Sequence, residues 1–499
     1  MKKNDYVFDL SALIMAVLGI DQCQRSRFLA AASCVLLVML LLPAITHAQE
    51  KPAPEKLYLT LEESIRIALE KSPLIRISRL SRDALGPEIR RAKAVFHPVL
   101  GASYTGTESH PVDELGPGAP IETQTARGFI AQEMPTGGLL ILSNDITRDI
   151  VGTAPALAGS DVTISLVQPL LRNGRVYVAT RPIKDAEYDV RIEEARLRAE
   201  VLRVTADTAR AYYNWNLASR VIEVVRAAIQ RDEALIEASE ALLAAGLVTV
   251  RDVISARVSL TKDSDRLVSA EADAESAKNA FFDVLGLPLE SRAELLDKEI
   301  KFEPVPLEPE KWIATAVQDR PEVMELEERL AKSSLNVEVA DNALLPQLDF
   351  VGSYTKAQTN TTLRRAYGLR GDEWSAGLVV SVPLGNVAAE SGLVRARIEH
   401  ARLKEQLFLQ KRQVELEVRA AELKLRTSRN RIDALGKVLE HAKELYEVAK
   451  ASFARGLATN LDITSAQEDI LDAETDLLRA IVDYNTGLAE LEAALAGRL

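Results

Sequence analysis

Two seven-residue stretches repeat one hydroxyl–carboxylate spacing: Gly246-Leu247-Val248-Thr249-Val250-Arg251-Asp252 and Gly456-Leu457-Ala458-Thr459-Asn460-Leu461-Asp462. In each, glycine can end an incoming helix, threonine can cap the outgoing one, and an aspartate falls in its first turn. That is the chemistry of a tight helical turn. Nothing else reads as catalysis. His97, His110, His400 and His441 lie outside metal-ligand spacing, and no phosphate loop or dinucleotide fingerprint occurs. The expectation is a non-enzyme without metal or cofactor. Cys23 and Cys34 both fall in the N-terminal segment, leaving no thiol beyond it. A net charge of −12 argues against nucleic acid as a partner.

The elements that must carry these turns are long helices. From Ile183 to Ala245 the chain has neither proline nor glycine; Pro182 opens the run and Gly246 closes it. At 1.5 Å per residue such a helix is about 95 Å long. Val190, Leu197, Val201 and Val204, then Leu217, Val221, Val224 and Val225, recur at helical spacing with alanine between them, as close-packed coiled helices require. Leu393 to Arg455, stopped by Gly456, is a second run of this kind with one interior glycine at Gly436. Aromatics make up 5% of the chain, which suits Ala/Leu packing better than an enzyme core.

The chain is one unit written twice. Thr60 and Glu63 form a capping box for a short helix cut at Ser72-Pro73, and a second helix ends at His97-Pro98. Pro321 follows Pro73, and Pro346 follows Pro98, at the same offset of 248 residues. After each second proline the period changes from helical to alternating. Leu348, Phe350, Gly352 and Tyr354 face one way, and Trp374, Ala376, Leu378, Val380 and Val382 repeat the pattern. Thr359 to Asp372 reads as a polar loop between them. In the first half, Val99–Thr107 and Val162–Val167 are the outer strands. An added pair, Gly128–Met134 and Leu139–Asp145, turns at Pro135-Thr136-Gly137-Gly138. The loops at 108–126 and 148–160 are expected to be long. Whether the added hairpin joins the same sheet or folds outside it stays open.

Arg25 and Arg27, the apolar run Phe28–Leu42 and Thr46-His47-Ala48 read as a secretory signal peptide, residues 1–48. The first repeat is placed at 49–302, with short helices, barrel strands about 99–168, a long helix at 183–245 and a return helix at 250–285. The second is placed at 303–499, with strands about 347–382, a long helix at 393–455 and a return helix at 459–495. No later apolar run is long enough for a transmembrane helix. Four or six strands per chain cannot close a barrel of eight or more, so copies must combine.

In this order and duplicated, Leu59-Thr60-Leu61-Glu62-Glu63-Ser64-Ile65 through Ser72-Pro73, Phe96-His97-Pro98, Leu345-Pro346-Gln347-Leu348, Gln168-Pro169-Leu170 and the two Gly-Leu-x-Thr tips resemble the TolC-like outer-membrane efflux protein family. The resemblance covers Leu59 to the C-terminus. It implies a mainly α fold with β-barrel strands: a long α-helical coiled-coil barrel plus a transmembrane β-barrel closed by trimerisation, of twelve or eighteen strands. It implies a homotrimeric exit duct of a tripartite efflux pump or type I secretion system in the outer membrane, with a large periplasmic part. Its partners would be outer-membrane lipid, a periplasmic adaptor and an inner-membrane transporter of RND, ABC or MFS type. The alternative is a non-conducting periplasmic coiled-coil adaptor or scaffold.

Carried over by position, the periplasmic gate falls on Asp462, with Ser465 where a second aspartate is found in the family, Phe453 where an aromatic precedes the tip glycine, and Asp252 beside Arg251 on the first tip. Three converging carboxylates would repel one another and attract cations; a helix-start acid favouring the dipole is the simpler role for Asp462. Gly246, Leu247, Thr249, Gly456, Leu457 and Thr459 correspond to the sites where adaptor hairpins dock. Trp374, Tyr104 and Tyr354 fit either an aromatic girdle or a packed core.

Overall fold

The structure, a computed structural model, describes residues 57–113, 116–117, 119–297 and 299–497; the expected signal peptide, with Cys23 and Cys34, lies outside them. A short strand, β1 (Leu57–Leu59), leads into α1 (Leu61–Lys71), whose N-terminus is capped by the Thr60 hydroxyl accepting from Glu63 N–H at 3.2 Å. Pro73 opens α2 (Pro73–Ala94), where its missing N–H is one that a helix start leaves unbonded anyway. Then come β2 (Val99–Ser109), a minimal pair β3 (Val112–Asp113) and β4 (Gly116–Pro117), and three longer strands, β5 (Ile121–Glu133), β6 (Leu139–Val151) and β7 (Leu157–Pro169). One helical turn, α3 (Val176–Ala179), precedes α4 (Arg181–Ala244) and its return helix α5 (Val250–Leu285). Past β8 (Ala293–Leu295) the plan recurs: α6 (Pro309–Asp319), α7 (Pro321–Asn342), β9 (Gln347–Asn360), α8 (Leu363–Ala366), β10 (Gly371–Ser381), α9 (Val387–Phe453) and α10 (Asn460–Ala494). The paired helices match in length, α1 and α6 at 11 residues and α2 and α7 at 22.

All six long strands form one antiparallel sheet in the order β10-β9-β7-β6-β5-β2. The added hairpin β5–β6 therefore lies inside the sheet, between β2 and β7. The loops around it are shorter than expected. β5 begins at Ile121, β6 runs to Val151 and β7 begins at Leu157, so residues 121–126, 148–151 and 157–160 are strand. Their residues pass for loop composition because polar side chains fall on both faces there, Glu122 and Gln124 on the side of Ile130 and Thr123 and Thr125 on the side of Arg127. The expected polar loop at 359–372 holds the single turn α8. The β5–β6 turn is closed by Met134 N–H donating to Gly138 O at 2.7 Å, with Gly137 at φ +83°, a conformation open to glycine.

Helices pack around two equivalent cores. In the first repeat α4 is flanked by α1, α2 and α5 around Tyr212, Trp215, Phe281, Phe282 and Leu285. The Trp215 and Phe281 rings lie 5.3 Å apart. The end of α5 abuts the α1–α2 junction: a side chain at Gly286 would meet Lys71 O at 2.9 Å. Thus α2 and α5 together line one α4. In the second repeat α9 packs on α6, α7 and α10 around Val414, Val418, Leu425, Tyr484 and Leu491. The segment between α5 and α6 is strapped to these cores. β8 pairs in parallel with β1. Tyr212 OH donates to Asp297 Oδ2 at 2.7 Å, and Tyr484 OH accepts from Val305 N–H at 3.0 Å. Burial, reinforced by the neighbouring Asp297, raises the Tyr212 hydroxyl far above its usual range.

Candidate functional site

Both helix tips are built the same way. Gly246 N–H donates to Leu243 O and Leu247 N–H to Leu242 O, each at 2.9 Å, the two crossed bonds of a Schellman end. Gly456 and Leu457 repeat them onto Phe453 O and Ser452 O. The glycines have φ of +75° and +70°, where a side chain would be strained. Thr249 and Thr459 then start the return helices. The Thr249 N–H and hydroxyl both donate to Asp252 Oδ2, at 2.8 and 2.7 Å; those of Thr459 donate to Asp462 Oδ2 at 2.7 and 2.8 Å. The hydroxyl, then the N–H, of Thr249 hold Asp252 below the ordinary carboxylate range, and the N–H, then the hydroxyl, of Thr459 do so for Asp462. Within one chain each acid is engaged by its own turn.

The tips expose apolar side chains. Leu247, Val250, Ile254, Leu457 and Leu461 are all more than half exposed, Leu457 most of all at 79%. Arg251 and Ser465 are exposed beside them, and Asp252 is half-buried. Phe453, expected at the gate by position, is packed inside the tip bundle. It is 4% exposed and packs with Leu235, Ala449, Ile463 and Ala466. Helix periodicity turns it into the seam between α9, α10 and α4, where it helps hold the tip bundle together.

Sequence reasoning missed Asn460. It is fully buried, and its Nδ2 donates to Ser239 Oγ at 2.7 Å and to Asp252 O at 2.8 Å, tying the second tip to the first. The signal available was its mismatch with Val250, the exposed residue at the equivalent position of the other tip.

At the strand end the sheet has two chemically distinct faces. One register row crosses all six strands as Trp374, Tyr354, Ile164, Leu142, Ile130 and Leu100. Every member is exposed, from 41% for Tyr354 to 80% for Leu100. Tyr104 on the same face is 70% exposed, so these aromatics are not core residues. The opposite face carries Ser353, Ser375, Thr163, Thr355, Arg127, Asp145 and Asp161. These residues bond across strands: Thr163 to Thr355 at 2.9 Å, Ser353 to Ser375 at 2.8 Å, and Arg127 Nη2 to Asp145 Oδ2 at 2.8 Å. Strands of 11 to 14 residues reach or exceed the 9–11 that span a bilayer when tilted. Among the described residues no helix is long and apolar enough to cross a membrane, and no cluster of His, Cys, Asp and Glu could hold a metal.

A family model described as Outer membrane efflux protein matches residues 64–287 and 312–497, one match in each repeat. The Salmonella typhimurium protein named Probable outer membrane lipoprotein SilC is 25% identical over 217 residues, a match covering 43% of this chain and 45% of that protein. Among solved structures, CusC, described in terms of folding and transmembrane channel formation, superposes with a TM-score of 0.64 at 15% identity, covering 90% of this chain and 96% of its own. The Vibrio cholerae outer membrane protein VceC gives 0.63 at 18% identity, covering 88% of this chain and 96% of its own.

Proposed function

The chain belongs to the outer membrane efflux protein family, and from that premise we propose that three copies form a passive exit duct through the outer membrane, the outlet of a tripartite efflux pump or type I secretion system. The observation that carries this reading is the exposed apolar row crossing all six strands, backed by a polar face. A sheet dressed in this way, with free edges at β2 and β10, satisfies its backbone in lipid only when closed. Joining β2 of one copy to β10 of the next closes eighteen strands around a polar lumen. The helical part then lies in the periplasm with its tips facing an inner-membrane transporter of RND, ABC or MFS type and a periplasmic adaptor.

At the tips, Leu247 and Leu457, held outward by Gly246, Thr249, Gly456 and Thr459, are the adaptor's apolar footholds. Asp462, with Asp252, Arg251 and Ser465 near it, sets the charge of the entrance. The test is a purified full-length preparation examined for trimers, for a β2–β10 cross-link between Ser103→Cys and Ser375→Cys placed on different copies, and for conductance in planar bilayers. Conducting, edge-linked trimers support the duct. Trimers that never conduct favour the scaffold reading, and a monomer that leaves both strand edges free overturns the assembly itself.

A further inference from the structure

About 21 Å above the first tip, at 1.5 Å for each of the 14 residues from Asp232 to Gly246, α4, α5 and α10 enclose a cavity of about 20 Å³, room for one water. Asp232 from α4 and Gln467 from α10 line it, 2% and 5% exposed. Asp232 Oδ2 has no hydrogen-bond partner, and neither Nε2 nor Oε1 of Gln467 has one. Three buried polar atoms of a carboxylate and an amide thus line one small cavity unbonded, where a single lost bond is costly.

The charges around Asp232 do not rescue it. From α5, Asp263 is buried on the same cavity and binds Arg266 Nη1 at 3.1 Å, while Arg266 Nη2 reaches Glu468 of α10 at 3.2 Å. Lys262 of α5 also lines the cavity but is exposed. On α4 itself Arg231 leaves Nε and Nη2 without an acceptor and lines a different groove, shared with Tyr446 and Lys450 of α9. A buried carboxylate facing a second carboxylate is stabilised by taking a proton, against the smaller opposing pull of the Arg231 and Arg266 guanidiniums.

We propose that Asp232 and Gln467 form a proton-operated latch: the protonated carboxyl bonds the amide through one water in the cavity they share and ties α4 to α10, whereas ionisation opens this three-helix seam. Burial, then Asp263, moves Asp232 from 3.8 up to about 7, which places the switch near neutrality. The sign follows from linkage. A carboxyl whose value is raised in the closed seam favours closure below that value, and the advantage fades as pH rises from 3.8 toward about 7. If the opened seam restores an ordinary carboxyl, opening increases about thirtyfold between about pH 5.5 and about pH 8.5. This device goes beyond the duct reading, and its test does not depend on conductance.

Amide hydrogen exchange on the assembled full-length protein, corrected for intrinsic rates, reads opening in α4, α5 and α10 around Asp232. The wild type is expected to lose protection about thirtyfold across that interval. Asp232→Asn, which stays neutral and keeps an amide for Gln467, is expected to abolish the step, and Asp263→Asn to move its midpoint to lower pH. A flat wild-type profile, or a step that survives in Asp232→Asn, overturns the latch. Should Asp232→Asn fail to assemble, the infrared band of a protonated carboxylic acid in the wild type decides: present at about pH 5.5 and gone at about pH 8.5 it supports the latch, and its absence at the lower pH refutes it.

Discussion

Ile146 and Thr147 are neighbours near the middle of β6 (Leu139–Val151), and the pleat sends them to opposite faces. Ile146 pairs with Ala126 and Ser160 on the face that carries the exposed apolar row, and Thr147 pairs with Thr125 and Gly159 on the polar face. An arginine at mid-depth on the lipid face of a barrel costs about 2–4 kcal/mol, and a lumen residue costs little. Since 1.4 kcal/mol is tenfold, Ile146→Arg should lower insertion by about 30- to 1000-fold per chain, compounded over three copies. Thr147→Arg, with Gly159 leaving room beside it, should assemble nearly as the wild type does. Refolding each variant into lipid vesicles and measuring the fraction that becomes protease-resistant trimer gives the comparison. Equal assembly of the two variants, or a larger defect for Thr147→Arg, would refute the assignment of faces and with it the membrane reading of the sheet.

The tips offer sharper local tests. Asn460→Ala should leave Ser239 and the Asp252 carbonyl without their buried donor, costing about 1–3 kcal/mol; faster hydrogen exchange confined to both tips is the expected signature. Gly246→Ala and Gly456→Ala each force a side chain into the left-handed region, at about 1–2 kcal/mol, and should fray the ends of α4 and α9 in the same measurement. For Asp252 and Asp462, lowered in the native state, the caps are fully present above 3.8 and weaken only as pH falls below it. Tip protection should therefore decline on acidification in the wild type and be flat in Asp252→Asn/Asp462→Asn. Alanine at Leu247 and Leu457 should weaken binding of a cognate adaptor by surface plasmon resonance while leaving trimer assembly unchanged, since both side chains are largely exposed.

The long helices, their proline and glycine ends, the duplication at an offset of 248 and the two capped tips could be read from the chain, because each is written in contiguous residues whose local chemistry suffices. The alternation in β9 and β10 was legible for the same reason. Local chemistry could not tell whether β5 and β6 join the main sheet. That depended on pairing with β2 and β7, and polar side chains at the outer ends of β5 and β6 disguised those ends as loop. Nor could it give Phe453 its place in the packed seam, fix β8 beside β1, or bring Asn460 to Ser239 across 221 residues. Asp232 and Gln467 are two polar letters on long helices in the sequence. Only the crossing of α4 with α10 buries them together and leaves them unbonded, because burial and partnership are properties of packing between distant segments.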